Sequence, residues 1–146
     1  MDARWKRIAV EHYETIGSIA RRIVFTFIAA GIQGNPHESS ADENSYWACD
    51  AMCSGTFIPI IDETHEVYKQ DLLHMYSLEE NFALSYDFAT SLVEFTVEDY
   101  GGPDGFWKLA AAFDQTNEFR KAVPTAFGIS YEQYDQNWQA WLKRKC

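Results

Sequence analysis

The sequence predicts an all-α fold, a single-domain orthogonal bundle of about six helices. Three observations predict it. Strand-like alternation of apolar and polar residues is nearly absent, and apolar residues instead recur at three- and four-residue spacing. The stretches that show this spacing are separated by Gly, Pro and capping residues. At 146 residues the chain fits one domain. That length buries roughly 68–70 % of the unfolded surface without metal or disulfide staples. With 47 % hydrophobic and 16 % aromatic residues, the core is expected to be rich in rings.

The 1–34 segment predicts a long N-terminal helix over residues 3–30, bent at Gly17-Ser18. Trp5, Ile8, Ala9, His12, Ile16, Ile19, Ile23, Phe27 and Ala30 form a nearly continuous stripe, and its second half is apolar almost all round. The ten apolar residues 23–32 are too few to span a bilayer. More than twenty residues precede them, Glu11 and Glu14 included, which is the wrong flank for a signal peptide. A buried helix, stopped by Gly31 to Pro36, is the expectation. Residues 34–45 read as a polar loop, 46–54 as a short helix and 55–61 as an extended connector around Pro59. Residues 62–74 read as a further helix with Asp62 or Thr64 as N-cap.

The next helix is the clearest in the chain. Ala83, Tyr86, Ala89, Leu92, Val93, Thr96, Val97 and Tyr100 share one face over about five turns. Gly101-Gly102 supplies a left-handed cap, and Pro103 suits the first turn of the helix after it. Residues 117–127 form another helix, with Pro124 limiting its regularity. Ser130 with Gln133 makes a capping box for the last helix, and Lys143-Arg144-Lys145 suits its C-terminal dipole.

The net charge of −10 argues against nucleic-acid and anionic-membrane partners, both of which need a basic footprint. The acidity is uneven. Between Glu38 and Asp71 eight acids face Lys69 alone, whereas residues 1–34 are slightly basic. The acidic quarter fits either a solvated face or a site for a cation or basic ligand. Three cysteines are an odd number and too few for a disulfide framework, and Cys49 and Cys53, one helical turn apart, are poorly spaced to bridge. Reduced thiols and a cytoplasmic setting are the expectation.

The run Phe82-Ala83-Leu84-Ser85-Tyr86-Asp87-Phe88, continuing through Ser91-Leu92-Val93-Glu94 to Tyr100-Gly101, resembles the helix that comes after the active site in peptidase MA-like proteins. These are helical zinc metallopeptidases of the gluzincin group. Phe106-Trp107-Lys108-Leu109, then Ala122 to Ser130, then Trp138-Gln139-Ala140-Trp141-Leu142 match that family's C-terminal order, so residues 80–146 carry the resemblance. These are packing and capping residues, and they imply fold rather than chemistry.

A gluzincin needs His-Glu-x-x-His on a helix, two imidazoles for zinc and a Glu to activate water, and a third ligand from a later helix. The family pattern for that helix resembles Trp-x-x-Glu-Gly-x-Ala. Here Trp47-Ala48-Cys49-Asp50-Ala51-Met52-Cys53 keeps the Trp and has Asp in place of Glu. Upstream, in Val10-Glu11-His12-Tyr13-Glu14-Thr15, Glu11 and Thr15 fall at the ligand positions and His12 at the base position. Both imidazoles are missing. His37-Glu38 and His65-Glu66 are followed by Ala41 and Lys69, so neither has the second His. The resemblance thus implies a degenerate zinc site, and no metal or other cofactor is expected.

The expected function is binding of a small ligand or a protein partner in the cleft where the family holds zinc. Glu11, His12, Thr15 and Asp50 would line it, with Trp47 and Tyr86 as walls. The rival is a hydrolase-type enzyme using Glu11, His12 and Asp50, with or without a metal. A Cys49, Cys53 and Asp50 set with His12 or His37 is a metal alternative, against which stand two small buried apolar residues. A single His on an apolar stripe is more often a core residue, and Trp5, Tyr13, Tyr46, Trp47, Phe82 and Tyr86, which could line a pocket between the first helix and the 82–100 helix, are at helical spacing more often core. His65 and His74 read as surface groups. There is no Gly-x-Ser-x-Gly elbow and no phosphate-binding Gly loop.

Overall fold

The computed structural model describes residues 39–64, 70–73 and 82–146, and over these it is all-α, with five helices and no strand. The helix expected over residues 3–30 lies outside the described residues. None of the described helices is long and apolar enough to cross a membrane.

The first described helix, α1 (Ser39–Cys53), starts inside the stretch expected to be a polar loop. Ser39, Ser40, Asp42 and Glu43 look loop-like by composition, yet serines and acids are also what a first helical turn favours. Ala48 and Cys49 are fully buried, and Ser45, also buried, donates to Glu94 Oε2 at 2.6 Å. The helix ends in a Schellman pattern. Gly55 N–H bonds to Met52 O (3.1 Å) and Thr56 N–H to Ala51 O (2.8 Å), with Gly55 left-handed at φ 95°.

Residues 56–61 form a connector outside any helix. Ile58 and Ile60 point into the core, while Phe57, Pro59 and Ile61 are half-buried. The helix expected over 62–74 is absent from 62–64 and 70–73, where only a single 3₁₀ turn occurs at Leu72-Leu73. Asp62 is tied to the backbone at both ends of this stretch. Its Oδ1 accepts from Thr64 N–H (2.8 Å) and Oγ1 (2.7 Å), its Oδ2 from Gln70 N–H (3.1 Å), and Asp62 N–H donates to Asp71 Oδ2 (2.8 Å). Two buried carboxylates thus hold the backbone amides of Asp62, Thr64 and Gln70.

Helix α2 (Phe82–Asp99) is buried over more of its circumference than its apolar stripe implied. Phe88, Ala89, Leu92, Val93 and Phe95 are buried, and so are the hydroxyl residues Ser85, Thr90, Ser91 and Thr96. Gly101 and Gly102 are both left-handed, as the cap signal predicted, and α3 (Gly102–Thr116) begins at once. Within α3, Gly105 lies so close to the Tyr100 carbonyl that any Cβ there would collide with it. The boundary expected at Asn117 falls two residues later. Asn117 is the left-handed cap of α3, its N–H on Phe113 O at 2.8 Å, and α4 (Phe119–Phe127) begins beyond it and contains Pro124.

Helix α5 (Tyr131–Lys143) is capped by Ser130, whose hydroxyl accepts from Gln133 N–H. The expected capping box is only half made, because the Gln133 side chain turns to Asn137. Tyr134, Trp138 and Trp141 fall at i, i+4 and i+7 and pack on α2, each with a polar handle there. Trp138 Nε1 donates to Ser91 Oγ, the Tyr134 hydroxyl meets Thr96 Oγ1, and Trp141 Nε1 donates to Glu98. Phe57, Phe88 and Trp138 form a ring cluster at one end of this seam, and Phe95, Tyr100, Phe127 and Tyr134 form another.

The cysteines depart from expectation. Cys49 is bonded to Cys146, 97 residues away, with Cα atoms 5.7 Å apart. The i, i+4 neighbour was indeed a poor partner, but the end of α5 packs beside α1 and brings Cys146 into range. Only Cys49 is the small buried residue expected, since Cys53 is exposed with a free thiol.

Candidate functional site

Glu11, His12 and Thr15 lie outside the described residues, and so does the side chain of Tyr86, which sits in α2. Asp50 and Trp47 are exposed on α1, and Trp47 packs edge-on against the equally exposed Tyr46 at 5.3 Å between ring centroids. The described residues therefore set neither the acid nor the ring into a cavity.

Among the described residues a concave feature lies elsewhere, after α1. Phe57, Pro59 and Ile61 form the apolar floor, and Asp62, Glu63, Thr64 and Gln70 the polar rim, of an open cleft of about 450 Å³. That volume is within the range of small-molecule sites, roughly 300–1,000 Å³. Ile58 and Ile60 are buried in the core, while Phe57, Pro59 and Ile61 stay half-buried, Phe57 and Ile61 packing against the core and leaving part of their surface to the cleft. The rim keeps its shape through Asp62 and Asp71, whose carboxylates bind the loop's own amides.

Arg120, from α4, reaches the same rim. Its guanidinium pairs with Glu63 and with Glu132 Oε1 (2.6 Å) and lies over the Tyr131 ring, 4.6 Å from its centroid. Glu132 is held below the ordinary carboxylate value by a backbone hydrogen bond and by Arg120. Burial pushes the Tyr131 hydroxyl well above its ordinary value, keeping it a neutral platform. Among the described residues, the rim thus carries the carboxylates of Asp62 and Glu63, and Arg120, shared between Glu63 and Glu132, is the cation beside it. The surplus is negative.

Sequence reasoning marked the acidic quarter, Asp62, Glu63 and Asp71 included, but not Arg120 or the cleft. Pro59 inside an apolar run was the available signal for a floor, whereas Arg120 lies 57 positions from Glu63 and gives no local sign of the pairing. Another unexpected group is Asp87, half-buried on α2, whose carboxyl is raised by burial to about 6. Comparison with family models, with curated proteins and with solved structures returns no match.

Proposed function

We propose that the protein is a binding module with a peptidase MA-like helical frame and no peptidase activity. The 1–34 helix would complete an orthogonal bundle of six. The ligand would be a cation on an apolar stem, such as a Lys or Arg side chain of a partner peptide or a small organic amine, held in the 57–70 cleft. The observation that carries this reading is an apolar floor of Phe57, Pro59 and Ile61 beneath a rim whose carboxylates outnumber its cation.

The magnitudes assign different tasks to floor and rim. Burying about 100 Å² of aliphatic stem contributes about 2–3 kcal/mol. An exposed ion pair at the rim adds about 0–1 kcal/mol. The floor therefore supplies most of the affinity, and the rim rejects anions and steers cations toward the cleft. Ordering costs leave a lone side chain weakly bound, so tight binding requires a peptide that also contacts the surroundings.

Calorimetric titration with a short Arg-bearing peptide and its Glu-bearing counterpart tests the proposal. The Arg peptide binds, binding weakens with added salt, Glu63→Gln weakens it further, and the Glu peptide does not bind. Equal binding of the two peptides contradicts the reading. Metal-dependent peptide hydrolysis, lost in His12→Ala or Asp50→Asn, would instead favour the hydrolase-type enzyme built on Glu11, His12 and Asp50.

A further inference from the structure

We propose that Cys49, Cys53 and Cys146 form a thiol site for one soft d10 cation, Zn(II) or Cu(I), opened by reduction of the Cys49–Cys146 disulfide. A structural bridge uses two cysteines and has no use for a third. Here all three cysteines of the chain converge, with every pair of Sγ atoms within 4.8 Å. Cys53 Sγ lies 3.7 Å from Cys146 Sγ. Tetrahedral ligands at a Zn–S distance of about 2.3 Å stand about 3.7–3.8 Å apart, so one edge of the site already has its ligand spacing.

The backbone holds the trio in place. Cys49 and Cys53 share a face of α1 at i, i+4. The residue before Cys146 is pinned, with Lys145 N–H on Leu142 O (3.0 Å) and its ammonium 4.3 Å over the Trp141 ring and 3.7 Å from Glu98. Cys49 forms a buried wall, and Cys53 and Cys146 open to solvent, giving a cation a way in. Three sulfurs complete a trigonal Cu(I) site or leave a fourth zinc position open to water.

The chemistry needs a dithiol reductant. Two electrons and two protons pass to the bridge, leaving Cys49 and Cys146 as thiols and the reductant as its own disulfide. The cation then replaces the thiol protons, which go to solvent, so affinity rises with pH.

The test uses the full chain, reduced under anaerobic conditions and freed of reductant. Co(II), as a probe for zinc, should bind one equivalent with a thiolate-to-metal absorption band that Zn(II) abolishes. In a separate arm, Cu(I) is titrated against a competing chelator. Binding in either arm identifies which source the site accepts, and the oxidised protein should bind neither. Cys53→Ser, at an exposed position that leaves the bridge intact, should weaken binding by more than the roughly tenfold that even an outer-shell change reaches. Circular dichroism confirms that the variant keeps its helices. Absence of binding in both arms overturns the proposal, as does unchanged affinity in Cys53→Ser.

Discussion

The Tyr134 hydroxyl stands 2.6 Å from Thr96 Oγ1, sealed between α2 and α5. Thr96 donates to the Leu92 carbonyl and therefore accepts from Tyr134. The two ends of this bond are not equivalent. Tyr134→Phe removes the donor and leaves Thr96 satisfied by Leu92, at a cost of about 0.5–1.5 kcal/mol. Thr96→Val leaves a buried phenol without that acceptor and costs about 1–3 kcal/mol. Urea denaturation of the two variants measures the difference, and equal losses would contradict the assigned direction.

Gly105 reverses the usual helix preference. At an exposed helical position, Gly→Ala gains about 1 kcal/mol. At Gly105 the new methyl would collide with the Tyr100 carbonyl, a backbone atom with little room to give. Gly105→Ala is expected to destabilise by about 1–3 kcal/mol. The exposed Ala111, in the same helix, is the control, with Ala111→Gly costing about 1 kcal/mol. Thermal melts compare the pair.

The bridge across 97 residues restrains the unfolded chain strongly. Cys146→Ser is expected to cost about 2–5 kcal/mol. Reductant should then lower the melting temperature of the wild type and leave that of Cys146→Ser unchanged.

Asp87 sets a pH dependence with a definite sign. Its carboxyl rises from an ordinary 3.8 to about 6, because burial disfavours the charged form. The folded state then binds more protons than the unfolded state between those values, and this contribution to stability falls as pH rises through them. Asp135, also raised mainly by burial, acts in the same direction. Denaturation curves from pH 4 to 7 should show a shallower decline with pH in Asp87→Asn than in the wild type.

Much of the fold was legible because its signals are local. The apolar stripe of α2, Gly101-Gly102-Pro103 and Ser130 each act within a turn of where they stand, and each marks a real boundary. The features that were missed depend on distant partners or on competition. Asp62 reads as a helix cap and its Oδ1 does accept from Thr64 N–H two residues on, but nothing local shows that its Oδ2 also takes Gln70 N–H, and only the fold brings Asp71 onto Asp62 N–H. Cys146 gives no local sign that it pairs with Cys49, and Arg120 none that it reaches Glu63. Tyr46 and Trp47 read as core or pocket walls because rings usually are, yet both stand in solvent.

Amide and side-chain NMR shifts of the labelled protein, tracked during titration with the Arg-bearing peptide, test binding in the cleft most directly. Saturable shifts are expected at Phe57, Ile61, Thr64 and Gln70, with Tyr46, Trp47 and Asp50 unmoved. Shifts confined to Tyr46, Trp47 and Asp50 would put the ligand on α1 and contradict the cleft as its site.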